Sequence, residues 1–204
     1  GHGGSSAQSA MDTTAAGDIW NNGLGMASVS AAAAGDNSLF YTLPAMVDGV
    51  AITASMSPGR AAQETHTSFG LVYTGVEGLT VKFGQGDSGA PGATIESTTM
   101  MASYAIGSFT VSASNTEADK TGAANEEVDS FQLAYTVTDD LSVTYGEETF
   151  ETVGSATDEE VESFGVSYTT GGMTLSANTY EGTGAGNTAG AKTERWALSA
   201  AFAF

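Results

Sequence analysis

Apolar and polar residues alternate with a period of two along most of the chain from residue 38 onward. Leu79, Val81 and Phe83, for example, alternate with Thr80 and Lys82. This period predicts β-strands, because the apolar positions of a helix recur every three or four residues. The predicted strands are 38–45, 50–57, 65–75, 79–86, 97–106, 109–114, 129–137, 141–146, 163–169, 173–180 and 195–204.

The connections between these strands are alternately short and long. The short ones, such as 76–78 and 170–172, are rich in residues that accept the positive φ angles of tight hairpin turns. The long ones are 58–64, 87–96, 115–128, 147–162 and 181–194. The rhythm is typical of an up-and-down antiparallel barrel with turns at one rim and loops at the other.

The two faces of the predicted strands differ in a way that indicates a membrane. One face is apolar throughout, and the other carries mainly Ser, Thr and Gly. A soluble antiparallel sheet usually places long charged side chains on its wet face. Small hydroxyl residues instead suit the inner wall of a water-filled barrel, so the predicted fold class is an all-β transmembrane barrel.

A sequence repeat places one tyrosine just before each of four short turns. Residues 68–74, 130–136 and 163–169 share the pattern Ser-Phe-x-x-x-Tyr-Thr, and residues 100–104 are a weaker copy. Tyrosines at one height predict an interfacial aromatic girdle. Cross-strand aromatic pairs in a soluble β-protein are the alternative. The girdle residues are Tyr73, Tyr104, Tyr135 and Tyr168.

The last predicted strand ends the sequence on an aromatic face. Trp196, Leu198, Phe202 and Phe204 share that face. An unprotected strand of this kind invites aggregation in a soluble protein, whereas in a membrane barrel its edge is paired. The ending resembles the C-terminal strand of Gram-negative outer-membrane barrels. The resemblance implies an assembly signal at Trp196, Phe202 and Phe204.

Composition excludes several classes of protein. The chain has 204 residues, with 5 Lys and Arg against 24 Asp and Glu, for a formal charge of -19. So few cations cannot replace the counterions of nucleic acid phosphates. There is no cysteine, hence no disulfide, thiolate nucleophile or cysteine-bound zinc. The sequence contains no run of 18 apolar residues, so it predicts no transmembrane helix.

The odd number of strands is a problem for a closed barrel, because an antiparallel barrel needs an even number. Residues 1–37 supply no obvious twelfth strand, so the chain is interpreted as the C-terminal part of a longer barrel. A twelve-stranded barrel that uses residues near 19–30 as the extra strand is the alternative.

The strand pair formed by residues 37–43 and 50–59, the hairpin repeat and the Phe204 ending resemble general porins of alphaproteobacteria, the Rhodobacter type. That family implies sixteen strands, a homotrimer and a constriction loop between the fifth and sixth strands. Residues 1–37 would then be the constriction-loop-like segment, and 38–204 the C-terminal part of the barrel.

The resemblance also implies a function and partners. We expect a passive diffusion channel for small hydrophilic solutes and ions in the outer membrane of a Gram-negative bacterium. The expected partners are the lipid bilayer, lipopolysaccharide and the barrel assembly machinery. The alternatives are a non-enzymatic surface protein, either a barrel adhesin or a β-solenoid, and a barrel enzyme.

Opposed charges across a constriction set ion selectivity in that family. The acidic candidates lie in the first segment and the basic ones on the lumen face of the strands. For Arg195, a local ion pair with Glu162 or Glu194 is the alternative. The candidate lumen residues are Asp12, Asp18, Asp36, Lys82 and Arg195.

Acidic residues cluster at or beside the long connections, where they would surround the extracellular mouth. A negative mouth attracts cations, so a cation bias is expected; simple solubility of surface loops is the alternative. Ca²⁺ or Mg²⁺ at these carboxylates is a further possibility. The residues are Glu117, Asp119, Glu126, Glu127, Asp129, Glu147, Glu148, Glu151, Asp158, Glu159, Glu160, Glu162, Glu181 and Glu194.

No catalytic motif is found in the sequence. His2 and His66 have no matching set of ligands or nucleophile, and we expect both to be solvated. We therefore expect no enzyme, and no cofactor beyond the divalent cations just mentioned.

The terminal residue provides a first test. Phe204→Ala should lower the fraction of chains that assemble in the membrane, because the terminal aromatic is lost. Ser199→Ala, on the opposite strand face, is the control. Assembly is measured from the heat-modifiable mobility of the folded barrel, and a variant that assembles as well as the control would contradict the signal.

Overall fold

The computed structural model describes residues 6–11, 14–29, 38–59 and 62–202. All eleven predicted strands are present in it. Three short 3-10 helices, Ser9–Met11, Ile19–Asn21 and Ala185–Asn187, accompany them. The strands are β1 Leu39–Thr42, β2 Val50–Ser57, β3 His66–Tyr73, β4 Leu79–Ala90, β5 Ala93–Ile106, β6 Phe109–Lys120, β7 Glu126–Thr138, β8 Leu141–Thr152, β9 Glu159–Thr170, β10 Met173–Thr183 and β11 Lys192–Phe202.

The strands form one antiparallel sheet in chain order, β1 to β11. Each strand pairs with its neighbours in sequence, so the up-and-down topology is confirmed. Over the described ranges, β1 pairs only with β2 and β11 only with β10, so the sheet is open. None of the helices in these ranges is long and apolar enough to cross a membrane.

Strands β4 to β10 are longer than predicted and the connections between them are shorter, whereas β1 and β3 are shorter than predicted. The predicted loop 115–128 is mostly strand, because β6 continues to residue 120 and β7 begins at residue 126. The same correction applies to 87–96, 147–162 and 181–194. In these extensions the outward positions are mainly acidic and the apolar residues, such as Ala118, Val128 and Phe150, lie on the inward face, so the alternation changes phase within the strand.

One face of the sheet, called here the outward face, is opposite to the face that contacts residues 6–11 and 14–29. It is apolar on the side of the short turns. One pairing row across it contains Val143, Val166, Ala177 and Leu198. Aromatic rings also contact across strands, for example Phe109 and Tyr135, whose ring centroids lie 4.5 Å apart in a stacked arrangement. Many of these side chains are exposed in the chain alone, which a lipid environment explains.

The four repeat tyrosines, all on this face, are offset regularly between hairpins. The pairing row of Tyr73 reaches β5 at Ala102, two residues before Tyr104, and the same offset separates Tyr104 from Tyr135 and Tyr135 from Tyr168. Two residues rise roughly 6.7 Å over two strand spacings of roughly 9.6 Å in total. The corresponding tilt of about 35° lies in the range of transmembrane barrels, so tilted strands would bring the tyrosines to one height.

The buried core lies between the other face of the sheet and residues 6–11 and 14–29. One apolar cluster contains Ile19, Leu24, Met26 and Val161, and a second is centred on Phe150. The twelve-stranded alternative is wrong for the described residues, because 19–21 form a 3-10 helix and 22–29 form no strand. These residues pack on the sheet instead of extending it.

The outward face can be tested in the middle of β9. Val166→Arg should destabilise the membrane-inserted protein by about 2–4 kcal/mol, because a charge would face the hydrocarbon. Equilibrium unfolding in lipid vesicles measures the loss. The control is Ser167→Arg, on the inward face, where a much smaller loss is expected. Equal losses at the two positions would contradict the assignment of the faces.

Candidate functional site

The candidate site is the inward face of the sheet together with the chain that crosses it. Residues 6–11 and 14–29, called here the inner segment, run along this face from β2 and β3 towards β11. The inward strand face, called here the wall, is the hydroxyl-rich face predicted from the sequence. Part of it is therefore covered by the inner segment and is not free surface.

Hydroxyl groups hold the beginning of the inner segment. The backbone N–H of Ala7 donates to the Oγ atoms of Ser55 and Ser68, both at 3.0 Å. The Gln8 side chain donates from Nε2 to Thr99 Oγ1 at 2.7 Å. The three hydroxyl groups come from three different strands, so these contacts join the segment to β2, β3 and β5.

The middle of the inner segment is held in the same way by β6 and β7. The N–H of Ala15 donates to Ser114 Oγ at 2.8 Å, and the N–H of Ala16 donates to Ser130 Oγ at 2.9 Å. Gln132 returns a hydrogen bond to the Ala16 carbonyl at 3.3 Å. Wall side chains thus satisfy backbone groups that no strand or helix pairs.

Glycines in the wall allow the inner segment to approach closely. A β-carbon at Gly70 would lie 2.7 Å from the Ala7 carbonyl oxygen. At Gly84 it would lie 2.9 Å from Met11 Cγ and 3.0 Å from Gln8 Cα. These glycines are required by close packing, a reason that alternation alone does not reveal.

Two buried glutamates hold the end of the inner segment. Glu148 Oε2 accepts the N–H of Trp20 at 3.0 Å, and Glu159 Oε2 accepts the N–H of Ala27 at 2.8 Å. Each glutamate is only 2% exposed. The sequence analysis grouped both residues with the mouth acids and missed this role. Each of them, however, lies at a position of its strand whose side chain faces inward.

Asp18 forms a local turn in the inner segment. Its φ of 55° is left-handed, which aspartate tolerates better than most residues. The Thr14 hydroxyl accepts the Asp18 N–H at 2.6 Å and donates to Asp18 Oδ1 at 3.1 Å. Asp18 itself is exposed on the segment.

The predicted basic residues lie on the inward face. Arg195 shares a pairing row with Tyr180, and its guanidinium donates to the Asn22 carbonyl of the inner segment. Its alternative partners Glu162 and Glu194 lie on the outward face. Lys82 also lies on the wall, but on β4, whereas Arg195 lies on β11. The predicted Asp12 and Asp36 lie outside the described residues.

The acidic residues are placed differently from the prediction of a crowned mouth. Most of them extend the outward face beyond its apolar part, because the strands that carry them continue past the predicted ends. Three predicted mouth acids, Glu126, Glu148 and Glu159, point inward instead, and Glu126 pairs with Lys120. The outward acids, called here the acidic belt, are Asp87, Glu96, Glu117, Asp119, Glu127, Asp129, Glu147, Glu151, Glu160, Glu162, Glu181 and Glu194.

The structure describes one of the two histidines, and it bears on the predicted absence of a histidine site and on the possible metal site. His66 is buried, not solvated as expected, and its Nε2 lies 3.2 Å from the Gly89 carbonyl oxygen. His2 lies outside the described residues. Among the residues that the structure describes, no three His, Cys, Asp or Glu side chains are grouped so that they could hold a metal ion.

The aromatic candidates lie on the outward face. The four tyrosines are there, as are Trp196 and Phe202, which are both exposed. Phe204 lies outside the described residues.

Comparison with known proteins identifies relatives of this arrangement. A family model described as Gram-negative porin matches residues 3–204. No curated protein matches the sequence.

Solved structures share the fold at low sequence identity. A porin refined at 1.8 Å resolution aligns with a TM-score of 0.66 and 16% identity, over 83% of this chain and 63% of that one. An anion-selective porin from Comamonas acidovorans aligns at 0.59 and 13%, over 72% and 48%. OmpT, an outer membrane protein of Vibrio cholerae, aligns at 0.60 and 18%, over 81% and 63%. The chain therefore spans between about half and just under two thirds of these proteins.

The close contact at Gly84 yields a test of the inner segment. Gly84→Val should displace residues 8–11, because the new side chain would overlap Gln8 and Met11. Met11 is 5% exposed and Met46 is 75% exposed, so Met11 oxidation should rise towards the rate of Met46. Peptide mass spectrometry after mild peroxide treatment measures both rates.

The control for this test is Ala51→Val, which also introduces a valine on the inward face, but at an exposed position of β2. Met11 should stay protected in that variant. A protected Met11 in Gly84→Val would mean that the segment does not lie against β4.

Proposed function

Since the chain belongs to the Gram-negative porin family and its place is the outer membrane, we propose that it forms part of a passive diffusion channel for small hydrophilic solutes and ions. The observation that carries the proposal is the two-sided sheet. One face is apolar and aromatic, and the other is lined by hydroxyls and crossed by a polar segment. A wall of this kind separates lipid from water.

The inner segment is proposed to narrow the channel. Residues 1–37 are the constriction-loop-like part and 38–204 the C-terminal part of the barrel wall. The support is that residues 6–11 and 14–29 lie on the inward face over most of the sheet, held by wall side chains. Solutes would then be selected by size at the narrowest level, without covalent chemistry or a cofactor. Porins are channels rather than enzymes.

A cation bias is proposed from the charge of the chain. The formal charge of -19 creates a negative potential at the rim, which raises the local concentration of cations. Because most acids lie on the outward acidic belt, their effect inside the channel acts over a distance and should be weakened by salt. Asp12, Asp18 and Asp36 opposite Lys82 and Arg195 are the proposed local charges of the constriction.

The outward face is proposed to bind the membrane through its aromatic residues. Tyr73, Tyr104, Tyr135 and Tyr168 would form the girdle at one interface, as the 35° tilt derived above supports. Trp196, Phe202 and Phe204 would serve as the assembly signal read by the barrel assembly machinery.

Lipopolysaccharide and two further copies of the protein are the remaining proposed partners. The resemblance to trimeric porins supports the homotrimer. The Comamonas acidovorans structure is described as an anion-selective porin, so the fold alone does not imply a cation bias, and the proposed bias rests on the charge of this chain.

The proposed function is tested by single-channel current across a planar bilayer under a KCl gradient, using the protein purified from its native membrane. Stepwise conductance with a cation-selective reversal potential is expected, and the bias should shrink as total salt rises, because screening weakens the rim potential. Conductance without cation selectivity would contradict the proposed cation bias but not the proposed channel. Verified folded protein that inserts without conductance would contradict the channel.

A further inference from the structure

We propose that Glu148 and Glu159 are positioning residues that hold the inner segment against the wall and thereby set the free width of the channel. This inference rests on the proposed function for its effect on conductance. The position of the segment can be measured independently of any current. It gives the two glutamates a role different from that of ion-selective charges at a mouth.

The strand register separates these two residues from their acidic neighbours. Glu148 pairs with Val161 and Ser130, both on the inward face. Glu147 directly precedes Glu148 in the sequence, and Glu160 directly follows Glu159. Both of these neighbours lie on the opposite, outward face and are exposed. The chain thus provides two matched pairs of acids that differ mainly in the face they occupy.

The two carboxylates bind on either side of an apolar contact. Ile19, Leu24 and Met26 of the inner segment pack with Val161 in one buried cluster. Glu148 binds the N–H of Trp20, and Glu159 binds the N–H of Ala27, so the acceptors hold both ends of the stretch that supplies this cluster. Hydrogen bonds to a charged acceptor are stronger than neutral ones, and exclusion of water strengthens them further.

The two glutamates differ in how many of their oxygens are used. Glu159 uses both, because Oε2 accepts from Ala27 and Oε1 accepts the N–H of Gly186 at 3.1 Å. Glu148 uses Oε2 for Trp20, while Oε1 is buried and accepts no hydrogen bond from the described residues. Glu159 therefore joins the inner segment to the connection between β10 and β11 as well.

This difference predicts opposite results for the same substitution. In Glu148→Gln the amide oxygen can take the place of Oε2, and the NH₂ group can occupy the position where no donor is bound. In Glu159→Gln the NH₂ group must face one of two N–H donors, so one hydrogen bond is lost. Both variants remove one negative charge and keep the side-chain volume.

The experiment measures the distance from the inner segment to the rim of the sheet. The chain has no cysteine, so spin labels can be attached to Asn21→Cys and Asp140→Cys without other changes. Both positions are exposed. The labelled full-length protein is reconstituted in lipid, and the distance distribution is measured by pulsed electron paramagnetic resonance. Single-channel conductance and reversal potential are recorded for the same variants without labels.

The proposal predicts a pattern across the variants. Glu148→Gln should keep the narrow distance distribution and the unitary conductance of the parent. Glu159→Gln, Glu148→Ala and Glu159→Ala should broaden the distribution and change the conductance, with Glu148→Gln rescuing what Glu148→Ala loses. The control Glu147→Ala/Glu160→Ala removes two outward charges and should leave the distribution unchanged.

Two results would overturn the proposal. The first is an unchanged distance distribution in Glu148→Ala and Glu159→Ala. The second is an equal shift of reversal potential in Glu148→Gln and Glu159→Gln with unchanged distances, which would make both residues selectivity charges. If the alanine variants do not assemble, the two glutamine variants decide alone. Absence of current in the parent protein would refute the proposed channel, while the distances would still test the positioning role.

Discussion

The structure depends on the need to pair every backbone N–H and C=O group where water is excluded. Lipid offers no hydrogen-bond partner, so a strand that crosses it must pair with neighbours on both sides. In the described sheet, the antiparallel pairing meets this requirement for β2 to β10, whereas β1 and β11 each pair on one side only. The inner segment meets it differently, because side chains of the wall, such as Ser114 and Glu148, accept its N–H groups.

This requirement explains why many of the inward residues are small and polar. A strand side chain must face either lipid or the interior, and the interior face carries the hydrogen-bonding groups for the inner segment. Ser, Thr and Gly allow its backbone to approach, as the contacts at Gly70 and Gly84 illustrate. The same residues would line water where the segment does not cover them. Packing of the segment and a hydrophilic channel surface thus require the same composition.

The sequence predicted the number of strands, the direction in which their side chains point and the outward position of the repeat tyrosines, because these follow from alternation. It did not predict the strand ends near residues 115–128, since the apolar residues there, Ala118 and Val128, lie on the inward face and the outward positions are acidic, so the alternation changes phase. Glu148 and Glu159 were grouped with the mouth acids for a related reason: composition identifies a cluster of acids, but only pairing register tells which face each one occupies. The contacts of the inner segment join residues roughly a hundred positions apart, for which no local pattern exists.

The central claim is that one face of the sheet lies in lipid and the other lines water. Cysteine scanning of residues 163–169 in the cysteine-free chain tests it most directly. A membrane-impermeant thiol reagent should modify cysteines at the inward positions 165 and 167, whereas labels at 164, 166 and 168 should be quenched from within the bilayer. Reactivity that follows no two-residue period, or that has the opposite phase, would contradict the account.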